Sequence, residues 1–82
     1  MLKANFLDVA RGLILLTMPH GTDAFCAKEI VAVKTSGNSA KVRDVQITCK
    51  CINDVKPTAY EIEAVPSKTV DQLFKLLEAA HG

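Results

Sequence analysis

Residues 60–77 read YEIEAVPSKTVDQLFKLL, and the hydrophobic period changes inside this stretch. Tyr60, Ile62 and Ala64 recur every second residue before Pro66, whereas Val70, Leu73, Phe74 and Leu77 recur at helical spacing after it. A period of two sends alternate side chains to opposite faces of a strand, and a period near 3.6 gathers them on one stripe of a helix. The chain therefore reads as β-strands whose apolar face is covered by one C-terminal helix, over residues 68–80. Ser67, or Thr69 with Gln72 three residues on, suits the helix start, and Asp71 suits the positive end of the helix dipole. Leu76 widens the apolar stripe beyond a narrow seam and is a candidate contact for a partner.

Upstream, Val45, Ile47, Cys49 and Cys51 keep the period of two, with Asp44, Gln46, Thr48 and Lys50 between them. Val42 falls on the outward parity, which predicts a bulge near Arg43. Ser36-Gly37-Asn38-Ser39 is the strongest turn signal in the chain and makes residues 30–52 a hairpin. Pro19-His20-Gly21-Thr22-Asp23 is a break. Gly12 to Met18, GLILLTM, is apolar on both parities. That pattern fits a central strand buried on both sides, and a short buried helix fits the same letters. Residues 2–9 alternate weakly and read as an edge strand that turns at Arg11-Gly12. One helix over residues 2–16 is the alternative, opposed by Gly12 and the β-branched Val9 and Ile14.

The expected fold is α+β: one domain over residues 1–82, with a small, mostly antiparallel sheet of four or five short strands and the helix packed on one face. Its expected core is Leu13, Leu15, Ile30, Val33, Ile47, Ile62, Leu73, Phe74 and Leu77.

Composition narrows the function classes. Hydrophobic residues make up 49% of the 82, yet the aromatics are only Phe6, Phe25, Phe74 and Tyr60, so the core is aliphatic. An aliphatic-rich domain this small has more apolar surface than one layer hides, which favours a homodimer. The net charge is +1 with acids and bases interspersed, unlike the basic field of a nucleic-acid binder. The run Leu13 to Leu16 is far too short to cross a bilayer or to form a signal-peptide core. Three cysteines are an odd number for a disulfide framework and point to a reducing cytoplasm.

Three constellations carry candidate chemistry. Cys49-x-Cys51 places both thiols on one strand face roughly 7 Å apart, too far for an easy disulfide. With Cys26 and His20 they make a four-ligand zinc or thiol set, although C-x-C is not a usual zinc spacing and free Cys also serves as a small hydrophobe. His20, Asp23 and Cys26 are a candidate base, orienter and nucleophile, while Pro19 and Gly21 equally suit a plain turn. Lys34, Lys41 and Arg43 flank the hairpin tip and are candidate nucleic-acid contacts. No aromatic side chains interleave with them for base stacking, and lysines also protect sheet edges.

The run Phe25-Cys26-Ala27-Lys28-Glu29-Ile30-Val31-Ala32-Val33, then a polar turn, two alternating strands and Ser67-Lys68-Thr69-Val70-Asp71-Gln72-Leu73, resembles a small flagellar-operon protein family in its order of residue types. Residues 1–24 have no counterpart in that pattern, and no function is carried over from it. The expected function is a non-enzymatic protein-interaction or accessory module without a cofactor, working through a protein partner or its own dimer. Chains of this kind are common among phage and mobile-element products. Nucleic-acid binding through Lys34, Lys41 and Arg43 is the alternative, and a thiol or zinc site from Cys26, Cys49 and Cys51 is the second.

Overall fold

A computed structural model of the chain describes residues 2–37, 39–50 and 56–81. Seven strands and one helix follow one another: β1 (Leu2–Ala4), β2 (Phe6–Ala10), β3 (Leu13–Met18), β4 (Gly21–Cys26), β5 (Ile30–Ser36), β6 (Val42–Cys49), β7 (Thr58–Pro66) and α1 (Ser67–His81). A one-turn 3-10 segment, Ala27–Glu29, joins β4 to β5. The α+β class holds, but among the described residues the strands number seven and form two sheets. One has the order β1-β7-β6-β5 and the other β2-β3-β4. Every pairing is antiparallel except that of β1 with β7.

Residues 2–18 are strands and no helix. The backbone changes sheet at Asn5, whose N–H donates to the Thr17 carbonyl at 2.7 Å. β2 and β3 are then joined by Arg11 and Gly12, with φ of 55° and 77°. Positive φ at both central residues is the mark of a type I′ hairpin turn, which matches the twist of the flanking strands. Gly adopts it without a Cβ clash, while an L-residue with a Cβ, such as Arg11, is strained there. Arg11→Asn is therefore expected to raise stability by about 1 kcal/mol. Urea melts would check this, and an unchanged or lower midpoint would contradict it.

The turn pairs Ala10 with Leu13 and so fixes which residues of β3 point inward. Ile14, Leu16 and Met18 are buried, whereas Leu13 is exposed and Leu15 half-buried. The expected core had this parity reversed. In a strand a slip of one residue moves every side chain to the other face, and LILL offers no polar residue to distinguish them. β3 is also covered on one side only, not on both.

In the larger sheet the expected hairpin is formed by β5 and β6. Its arms end at Cys49, beyond which the Lys50 N–H donates to the Glu29 carbonyl at 2.9 Å. The bulge near Arg43 is present, as a register shift between Arg43 and Val45 against β7. The Asp44 carboxylate accepts the Ala64 N–H at 3.1 Å and holds the facing residue in its left-handed conformation, φ 56°. A second shift between Ile30 and Ala32 turns Val31 outward.

Ile47, Ile62, Val45, Cys49, Tyr60 and Val65 line the inner side of this sheet and meet Ile14, Leu16, Leu7 and Phe25 from the smaller one. Phe25 and Tyr60 link the two sheets with ring centroids 5.5 Å apart. Val70 and Leu73 bring α1 into the same core. Val33, Leu76 and Leu77 pack against it half-buried. One expectation about the helix is corrected: Phe74 lies outside the core, 43% exposed. Leu76, read as a contact for a partner, is half-buried and packs against the core. Ser67 is the first helical residue, and its hydroxyl donates to the Ala40 carbonyl at 2.7 Å while its N–H donates to Lys41. That ties the helix start to the hairpin. The far end is tied by His81 Nε2, which donates to the Ala27 carbonyl at 3.0 Å.

Candidate docking face

The two sheets turn very different outer faces to solvent. Strand alternation sets both compositions. On the four-stranded sheet the outward positions include Lys3, Lys34, Asp44, Gln46, Glu61 and Glu63, and Lys3 pairs with Glu63 at 3.6 Å. A concavity of about 320 Å³ opens there, lined by Lys34, Thr35, Ser36, Asp44, Val45, Gln46 and Glu61. Its walls mix both signs of charge. An anion would meet Asp44 and Glu61 as well as Lys34.

The three-stranded sheet is the opposite. Its ladder places Phe6, Asp8 and Ala10 of β2, Leu13, Leu15 and Thr17 of β3, and Thr22, Ala24 and Cys26 of β4 on the outer side. Asp8 is the single formally charged residue among these nine positions, and its carboxylate already accepts the Val9 N–H at 2.8 Å. Phe6 is 55% exposed and Leu13 36%. Scattered exposed hydrophobics are ordinary, but apolar residues occupying adjacent rows of one sheet make a contiguous patch, of the kind that marks an interaction surface.

The sequence candidates do not converge on either face. Cys26 is exposed on the outer side of β4, and Cys49 is buried on the inner side of β6. Cys51 lies outside the described residues. Among the described residues no group of three or more His, Cys, Asp and Glu side chains is placed to hold a metal ion. His20 sits in the β3–β4 turn, with Nε2 3.4 Å from Asp23 Oδ2. Cys26 ends the same strand, roughly 20 Å further along by strand rise, so the base–nucleophile pair is not assembled. Lys34, Lys41 and Arg43 are all exposed near the β5–β6 tip. Lys34 shares its face with Asp44 and Glu61, and the Lys41 backbone is engaged with Ser39 and Ser67.

The sequence signal for the docking face was available in the same letters that obscured the core. Both parities of GLILLTM are apolar, so whichever side turns outward must expose leucine. Among the described residues no helix is long and apolar enough to cross a membrane. Comparison with protein-family models and with curated proteins gives no match.

Proposed function

We propose that this chain is a small non-enzymatic interaction module whose docking surface is the outer face of β2-β3-β4. The observation that carries this reading is the inequality of the two outer faces. One sheet bears five charged side chains outward, Lys3, Lys34, Asp44, Glu61 and Glu63, and the other only Asp8. A face left apolar beside a charged one on the same small domain suits a surface that spends its working life covered. The expected setting is a reducing cytoplasm, where Cys26 on that face stays a thiol.

Nucleic-acid binding is less well supported, because Lys34, Lys41 and Arg43 share their end of the sheet with carboxylates that would repel phosphate. The test is photo-cross-linking. A benzophenone side chain at Phe6 is expected to yield covalent protein adducts in cells expressing the chain. The same group at Gln46, on the charged face, is expected to yield few. Equal yields from the two positions, or none from Phe6, would remove the docking-face reading.

A further inference from the structure

We infer that Asp8 and Glu29 are edge stoppers: each carboxylate caps an outward backbone N–H on one edge strand of the three-stranded sheet and so prevents a further strand from being added there. The caps act at the edges of that sheet, so they stand or fall apart from the docking of its outer face.

The phase of the ladder shows which backbone groups face outward. A two-residue hairpin loop closes on a hydrogen-bonded pair, and bonded and non-bonded pairs then alternate along the strands. The Arg11-Gly12 turn thus bonds Ala10 to Leu13, Asp8 to Leu15 and Phe6 to Thr17. Leu7 and Val9 point their N–H and C=O groups away from β3, along the edge of β2. The Pro19-His20 turn closes on Met18 and Gly21, and Leu16 bonds Asp23 as Ile14 bonds Phe25. Thr22, Ala24 and Cys26 therefore turn their backbone groups to the edge of β4.

On each edge one of these outward donors is already taken. The Val9 N–H donates to Asp8 Oδ1 at 2.8 Å, and the Cys26 N–H donates to Glu29 Oε1 at 3.4 Å. Glu29 is held in place by its own backbone, whose carbonyl accepts the Lys50 N–H at 2.9 Å. Leu13 pairs with both Ala10 and Cys26, so the two caps sit at the same, Arg11-Gly12 end of the sheet. An added strand must bond every second residue of the edge. At Val9 or Cys26 its carbonyl would find the donor occupied and a carboxylate in its path. On β4 the stretch left between the Pro19-His20 turn and the cap offers only Thr22 and Ala24, less than an ordinary strand needs. Bare sheet edges are templates for aggregation, and the larger sheet blunts its own by other means. There β1 has three residues, while β5 is broken by the shift between Ile30 and Ala32 and carries Lys34.

Amide hydrogen exchange of the wild-type protein, read by NMR, tests the caps directly. Val9 and Cys26 are expected to be protected severalfold more than Ala24, an outward amide of β4 with no carboxylate upon it. Asp8→Ala and Glu29→Ala are each expected to remove that protection at the amide they cap and not at the other. Sedimentation velocity with infrared spectra of the amide band tests the consequence. The double variant Asp8→Ala/Glu29→Ala, with its fold checked by circular dichroism, is expected to associate through intermolecular strand pairing at roughly a tenth of the concentration that wild type needs, because pairing of freed edges gains a backbone hydrogen bond from each copy. Asp8→Asn/Glu29→Gln keeps an acceptor at both places and is expected to behave as wild type. Equal protection of Val9, Cys26 and Ala24 overturns the inference. So does strand pairing that is unchanged in the alanine pair, or raised as much in the amide pair as in the alanine pair.

Discussion

Leu73→Ala is expected to remove about 3–5 kcal/mol of stability, while Phe74→Ala, one residue on, removes less than about 1 kcal/mol. Leu73 is fully buried at 0% exposure and Phe74 is 43% exposed, so the larger side chain matters less. The helical turn is the reason. Val70, Leu73 and Leu77 lie on the sheet-facing side of α1, with Leu76 on one shoulder and Phe74 on the other. Truncating Leu73 leaves a cavity bounded by both the strands and the helix, which can close only partly. For 82 residues the total stability is on the order of 4–12 kcal/mol, so the loss at Leu73 is a large part of it. Urea melts with an unchanged m-value would report both numbers. A reversed order would mean that the helix packs through Phe74, on the stripe the bare sequence suggests.

The helix illustrates what letters alone resolve. Its position follows from Pro66 and the change of period, and the observed Ser67–His81 differs from 68–80 by one residue at each end. Its rotation does not follow, because Val70, Leu73, Phe74, Leu76, Leu77 and Ala80 occupy about half of the circumference, and only the strands beneath choose among them. β6 and the first half of β7 were legible in their facing because their polar positions are occupied by Asp44, Gln46, Thr48 and Glu61. Ala64, on the inward parity with Tyr60 and Ile62, is exposed and Val65 is buried instead, because the register shifts opposite Arg43. β3 was legible as a strand but not in its facing. The division into two sheets was not legible at all. It depends on Asn5, an ordinary polar residue at which the chain leaves β7 and joins β3.

The same ambiguity conceals and creates the candidate site. A strand that must present Ile14, Leu16 and Met18 inward needs no apolar residue at positions 13 and 15. Sheets with one solvated face normally alternate apolar and polar residues. β6 does so, and β3 does not. The excess leucines are surplus to folding, and that surplus is the physical basis for reading the face as a contact surface. The zinc set, by contrast, required Cys26 and Cys49 to meet. They stand on the outer side of one sheet and the inner side of the other.

The facing of β3 is open to a direct comparison between neighbours. Leu16→Lys is expected to abolish folding, and Leu15→Lys is expected to leave the domain folded. Both positions are leucines of the same central strand, so propensity and chain entropy are equal and cancel. Leu16 is 0% exposed and its cross-strand neighbours are Leu7 on β2 and Asp23 on β4. A lysine there must either bury its ammonium in the core or distort the sandwich to carry it out to Asp23, which already faces His20, and the cost of several kcal/mol is comparable with the whole stability of the domain. At position 15 the ammonium reaches solvent, and its cross-strand neighbour is Asp8, so an opposite-charge pair replaces an apolar contact. Such pairs contribute on the order of 0.2–1 kcal/mol, enough to offset much of the lost packing. Circular dichroism and a thermal melt of the two variants decide the matter. A folded Leu16→Lys beside an unfolded Leu15→Lys would invert β3, place Leu13 and Leu15 in the core, and remove the apolar face on which the interaction reading stands.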